Sequence, residues 1–359
     1  MFFSLLICIK FLFCEDATAI PLLIVMGLGD ETKECVNFIK TYRAFNDSET
    51  KHSLYELSNK TSASFGAKEW NDLANLIVQK YSNHSSFVVL HGQSQMEYTA
   101  SYLSFFFQNI TKPIVFTTYQ YLPSSMYSDF VSNVLGSLRL CSEHATSLNE
   151  VVLYIDNNII RANRAIHLSS RTMDSFVSTN YPVLGTVAGD VALNTNVTLP
   201  RPSDETSFNT STKTSKATDC VVMIWFYPGM QALLFNSLLK NAKGAVVMGF
   251  GMGNGPSKDE AVLKAMKEAN DKGTIIVDVT QCYNGYVDLG EYQTGNAMRD
   301  CGIIPLADIT PAAAFTKLTY LLSVMDDQTE IKRIMEHEIL CGEFTPIVRT
   351  QSSNGKDEL

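Results

Sequence analysis

His91, Gln93, Ser94 and Gln95 follow directly on the apolar run FVVL at 87 to 90. A loop that leaves a buried strand and enters a helix often carries chemistry in an α/β enzyme. The groups on this loop suit catalysis poorly. A carboxamide cannot take up a proton, and a serine hydroxyl attacks only beside a base. His91 offers an imidazole at the end of an apolar strand. With no second ligand at metal spacing, it reads as a hydrogen-bonded core histidine and only alternatively as a base. Glycines at 249, 251, 253 and 255 complete neither G-x-G-x-x-G nor a P-loop, so they read as points of close backbone approach. A G-x-S-x-G elbow is absent, and so is C-x-x-C, which removes the serine-hydrolase, zinc-knuckle and thioredoxin-type readings. No metal and no cofactor is expected.

The elements that position this loop come from alternating patterns. Apolar runs at 21 to 27, 87 to 92, 113 to 118 and 150 to 156 read as buried strands. Met96, Leu103, Phe106 and Phe107 recur with helical spacing between the second and third. Strand and helix in alternation predict a parallel sheet covered on both faces, hence an α/β fold. Residues 195 to 218 are rich in Ser, Thr, Asn and Pro and read as a linker. They separate a larger unit at 20 to 194 from a smaller one at 219 to 350. In the second unit, 220 to 229 reads as a strand ending in a turn, 244 to 256 as a strand feeding a Gly-rich loop, and 274 to 282 as a strand. Residues 257 to 273 read as a helix with a capping box of Ser257 and Glu260, and 311 to 324 as a helix opened by Pro311.

A length of 359 residues suits two domains, and 45% hydrophobic residues supply a sizeable core. The net charge of -9 argues against a nucleic-acid partner. Residues 1 to 19 read as a cleaved secretory signal, with an apolar stretch at 2 to 13 too short to span a membrane. The mature chain is expected to carry no transmembrane segment. KDEL at 356 to 359, in the tail 351 to 359, reads as an address for the KDEL receptor, which predicts residence in the endoplasmic-reticulum lumen. Sequons begin at Asn46, Asn59, Asn83, Asn109, Asn196 and Asn209. Cleavage leaves Cys35, Cys141, Cys220, Cys282, Cys301 and Cys341, a set that permits disulfides without fixing their pairing.

Several separated segments then resemble one family. HGQSQM (91 to 96), NNIIRANRA (157 to 165), DSFVSTNYPVLG (174 to 185), GMGNGP (251 to 256), VTQCYNGYVDLGEYQTGNAM (279 to 298) and ADITPAAAFTKL (307 to 318) resemble L-asparaginases, especially the bacterial type I branch. The resemblance implies a larger N-terminal and a smaller C-terminal α/β domain, assembly as a homodimer or homotetramer, and hydrolysis of asparagine to aspartate and ammonia. The family uses a threonine nucleophile and a second threonine with an aspartate and a lysine. Its T-G-G-T motif falls on Met26 to Gly29, so the nucleophile position is Gly29. Its H-G-T-D-T motif falls on His91 to Gln95, so threonine becomes Gln93 and aspartate Ser94. The lysine position is His167. A substrate-contacting serine corresponds to Ser62, with Ala63 and Ser64 beside it. Cys282, in the T-Q-C motif, falls where the type I branch binds an effector; alternatively it only packs at a strand end.

The expectation is therefore a family scaffold whose catalysis is lost or greatly reduced, and which binds an asparagine-like small molecule or a protein partner. The alternative is an active amidohydrolase with rebuilt chemistry, using Thr32 as nucleophile and His167 or His91 as base.

Overall fold

The structure, a computed structural model, describes residues 19–47, 50–203, 208, 220–290 and 293–347. The expected signal segment, save Ala19, the KDEL tail, Asn209 and most of the expected linker lie outside the described residues.

The larger unit is built on eight strands: β1 (Leu22–Met26), β2 (Ser53–Ser58), β3 (Phe87–His91), β4 (Ile114–Thr117), β5 (Val151–Ile155), β6 (Asn158–Arg161), β9 (Gly185–Val187) and β10 (Val191–Leu193). A two-stranded hairpin, β7 (Ile166–His167) and β8 (Phe176–Val177), stands apart from it. The order in the sheet is β10-β9-β6-β5-β4-β3-β1-β2. Pairing is parallel from β2 through β5, as the strand–helix alternation predicts, and antiparallel among β5, β6, β9 and β10. The turn at Asp156 and Asn157, both at positive φ, reverses the chain after β5 without a crossover helix.

All five residues of β1 are buried, so its two faces divide between two cores. Leu22, Ile24 and Met26 pack with α2 (Ala67–Lys80) and α3 (Met96–Phe106). Leu23 and Val25 pack with α1 (Thr32–Thr41) and α4 (Phe130–Glu143). Each such aliphatic side chain taken out of water contributes about 1.5–3 kcal/mol, which is why a continuous apolar run, rather than an alternating one, marks these strands.

The smaller unit is a parallel sheet in the order β11-β12-β13-β14, with strands Val221–Trp225, Gly244–Gly249, Ile275–Thr280 and Ile304–Pro305. One face is covered by α5 (Ala232–Leu239) and α6 (Glu260–Asp271). Helix α7 (Gln293–Asp300) precedes β14. On the other face, α8 (Pro311–Val324) and α9 (Gln328–His337) carry the larger unit's core onward without a break. Tyr102 meets Tyr320 at 6.2 Å, and Tyr98 meets Phe315 at 6.0 Å, where α3 packs on α8.

The α6 cap differs from the expected capping box. It is Asp259, whose carboxylate accepts from the Ala261 and Val262 amides at 3.1 Å, and not Ser257. The carboxylate adds charge at the positive helix end, which a serine cannot. The glycine loop is packed tightly: a Cβ on Gly253 would lie 2.5 Å from an Asp278 carboxylate oxygen. All six cysteines among the described residues are free thiols. None of the described helices is long and apolar enough to cross a membrane.

Candidate functional site

Strands β1 to β4 deliver their C-terminal loops to one edge of the larger sheet, where they enclose a cleft of about 910 Å³. Ligands of open parallel sheets sit at such edges. The loops are pinned backbone to backbone. Ser62 N–H donates to the Gly27 carbonyl at 2.9 Å, and Gly92 N–H to that of Met26 at 3.2 Å. Any Cβ at Gly92 would lie 2.1 Å from the Gly27 oxygen, so only glycine lets the β1 and β3 loops meet.

Four of the five positions that match catalytic or substrate residues by resemblance reach this cleft, in three loops; His167 does not. Gly29 lines it with a φ of +59° and presents no side chain. Ser62 lines it while 2% exposed. Ser94 lines it and is exposed. Gln93 also lines it, but its amide nitrogen is engaged, donating to Gln120 Oε1 at 2.9 Å and to Ser175 Oγ at 3.2 Å. Gln120 in turn donates from Nε2 to the Ser170 carbonyl at 3.2 Å, and its backbone amide is held by the Asp129 carboxylate at 2.9 Å. A network of side-chain amides thus joins the loops after β3 and β4 to Ser170 and Ser175.

The remaining candidates lie elsewhere. Thr32 is 1% exposed, and its hydroxyl donates to the Gly29 carbonyl at 2.7 Å, closing the turn that leads into α1. His91 is fully buried between Phe65 and Phe116. Its Nδ1 lies 2.6 Å from the Gly92 carbonyl, an acceptor, so Nδ1 carries the proton there; Nε2 has no partner among the described residues. Burial pushes its pKa down to about 4, outweighing that hydrogen bond. His167 is half-buried on β7 and stacks on Phe176 at 4.4 Å, with Nε2 buried and unpaired among the described residues. Burial lowers its pKa too. It does not line the cleft, although Ser175, beside Phe176, touches Gln93. Cys282 is exposed at the end of β13 in the smaller unit; its amide donates to Thr280 Oγ1 at 3.0 Å.

Other groups in and around the cleft carry no motif in the sequence. Thr118, Tyr119 and Gln120 enter from the end of β4; the rule that sites gather at carboxyl ends of parallel strands points to them. Asp30 and Glu31 flank Gly29, and Glu31 accepts a hydrogen bond from Tyr119 at 2.6 Å. Burial, the Cys35 contact and the Glu31 carboxylate all raise the Tyr119 pKa, so the phenol keeps its proton. On the first turn of α3, burial lifts the Glu97 carboxyl to about 7.

Two α/β units that share one core, with a polar cleft over the parallel strand ends of the larger, define a protein of the asparaginase type. Comparison with known proteins agrees along most of the chain. Residues 27–199 match "Asparaginase, N-terminal" and residues 220–335 match "Glutaminase/Asparaginase C-terminal domain". L-asparaginase 1 of Escherichia coli is 34% identical over 280 residues, spanning 78% of this chain and 80% of that protein. The 60 kDa lysophospholipase of Mus musculus is 36% identical over 255 residues, 71% of this chain and 44% of that protein. The structure of L-asparaginase I from Vibrio cholerae superposes with a TM-score of 0.78 at 30% identity, covering 92% of this chain and all of that one. The chain belongs to the asparaginase family.

Proposed function

We propose that this protein keeps the asparaginase-family cleft as a binding site for a small polar amide and does not hydrolyse it at an enzyme's rate. The observation that carries this reading is the state of Gln93. Its amide is bonded to Gln120 and Ser175, and no hydroxyl with an available base occupies the matching positions Gly29, Gln93 and Ser94. Thr32 is withdrawn into the α1 turn, and buried His91 stays neutral at physiological pH. Loss of a single member of a cooperating catalytic set costs several orders of magnitude in rate.

The second reading, an amidohydrolase with rebuilt chemistry, is favoured by one contact only. Tyr119 and Glu31 form a hydroxyl–carboxylate pair in the cleft. Against it, the raised Tyr119 pKa makes the phenol a poor nucleophile.

In the same proposal the protein resides in the endoplasmic-reticulum lumen, on the strength of the apolar segment at 2 to 13 and KDEL at 356 to 359. Asn46, Asn59, Asn83, Asn109 and Asn196 are all exposed, which leaves those sequons accessible to glycosylation. Self-association is part of the proposal: α5 turns Leu233, Leu234 and Leu238 outward, 77%, 46% and 39% exposed.

Titration calorimetry with L-asparagine tests the central reading. Binding without turnover gives heats that saturate as the site fills. Continuous heat release after each injection, accompanied by ammonia, contradicts it.

A further inference from the structure

Among the described residues, Asn59 is the one sequon asparagine that lines the cleft. It is exposed on the loop between β2 and α2. Thr61, which completes the sequon, is exposed and lines the cleft as well. Asn46, Asn83, Asn109 and Asn196 stand outside that lining. Asn46 is also tied down, its Nδ2 donating to the Lys40 and Tyr42 carbonyls at 3.3 and 3.0 Å.

The segment that carries Asn59 is fixed against the β1 loop. Gly29 N–H donates to the Lys60 carbonyl at 3.3 Å, Thr61 bridges to Leu28, and Ser62 N–H donates to the Gly27 carbonyl at 2.9 Å. Lys60 Nζ pairs with Glu69 Oε1 at 2.7 Å, in the first turn of α2. While these bonds hold, Asn59 cannot swing away, and whatever its side chain carries is rooted in the cleft wall. The cleft itself is roomy. Its volume of about 910 Å³ is near the top of the roughly 300–1,000 Å³ that holds a drug-sized ligand. Bare walls of that size do not restrict entry to a small free amide.

We infer that Asn59 carries an N-glycan and that this glycan is a size filter over the cleft, admitting a free small molecule and excluding an amide borne on a polypeptide. A glycan is bulky and stays in water, which an exposed asparagine allows. The filter requires the luminal residence proposed above. Transfer from a lipid diphosphate oligosaccharide forms a bond between Asn59 Nδ2 and the anomeric carbon of the first sugar. It breaks that carbon's bond to the diphosphate oxygen and passes one amide proton to the released diphosphate.

The test uses the full chain made in a eukaryotic secretory pathway. Ser94→Cys places a thiol in the cleft, and Cys282→Ser removes the exposed thiol elsewhere. Glycopeptide mass spectrometry reads the occupancy of each sequon. N-ethylmaleimide, and a maleimide on a long polyethylene glycol chain, read access to the cleft thiol by peptide mapping. Asn59 is expected to be occupied, with the small reagent labelling the thiol and the polymer reagent losing most of its labelling. Asn59→Gln and Thr61→Val, which destroy the sequon from either end, should each restore polymer labelling. Thr61→Ser, which preserves it, and Asn83→Gln, which removes a different sequon, should not. Cys35 and Cys141 are buried and should stay unlabelled throughout, so restored labelling marks an open cleft and not an unfolded chain. An unoccupied Asn59 beside occupied sequons elsewhere overturns the filter and leaves the luminal reading intact. So does polymer labelling that Asn59→Gln and Thr61→Val leave unchanged, or restore only together with Cys35 and Cys141. No occupancy at any sequon overturns both.

Discussion

The amide nitrogen of Gln93 lies 2.9 Å from the side-chain oxygen of Gln120, and this contact bridges the loops that follow β3 and β4. The same nitrogen reaches Ser175, one residue ahead of the strand that pairs with the one carrying His167. The loops that follow β3 and β4 and the segment before β8 are thereby tied to each other.

Gly29 is more than a missing side chain. Its φ of +59° lies in the left-handed region, where a β-branched residue is disfavoured by about 1–2 kcal/mol, although a Cβ there would meet only ordinary contacts, 3.6 Å from Thr61. Gly29→Thr is therefore expected to lower stability by about that amount and to restore no ammonia release by itself. Denaturant melts and an ammonia assay on the one variant check both parts.

Thr32 is a turn-closing residue. Thr32→Val removes the 2.7 Å bond to the Gly29 carbonyl and keeps the shape. A loss of about 1 kcal/mol is expected, with ligand affinity unchanged. Thermal melts with and without ligand measure it.

Lys317 and Glu343 are fully buried and 2.7 Å apart, and the Glu343 carboxylate also accepts from the Leu340 and Cys341 amides. Lys317→Met would strand that carboxylate in the core. The expected cost is about 3–5 kcal/mol. Lys317→Met with Glu343→Gln should cost less than the single change, because the stranded charge is gone. Urea unfolding of both variants decides.

His91 sets a pH dependence. Its pKa is lowered to about 4 in the folded protein against about 6.5 unfolded, so the unfolded state binds the proton more readily. The stability this contributes is present above about pH 6.5 and is lost as pH falls from about 6.5 to 4, by roughly 3 kcal/mol. Glu97 acts in the opposite sense: its raised pKa, about 7, withdraws stability as pH rises from about 4.5 to 7. The difference in unfolding free energy between wild type and His91→Gln isolates the histidine. That difference should shrink on acidification across this window.

Part of this site is legible in the residues themselves. The run at 87 to 90 and Gly92 mark a buried strand and a tight loop, because continuous burial and close backbone approach each restrict residue choice locally. The helix opened by Thr310 and Pro311 is legible for the same reason. Strand β2 is not: it is the edge strand, only half-buried, and SLYELS lacks a continuous apolar signal. Nor are β6, β9 and β10, which are only three or four residues long, β6 following a turn with no glycine. The cleft's charge is hidden too. Asp30 and Glu31 read as ordinary polar residues at a helix start, and only the meeting of the β1 and β4 loops makes them its acidic wall.

The most direct measurement is ammonia release by the purified protein given L-asparagine, and separately L-glutamine, at saturating concentration. The account predicts release indistinguishable from that of buffer alone. Turnover near or above about 1 per second, the usual enzyme range, lost on Thr32→Val, Tyr119→Phe or His167→Ala, would contradict it.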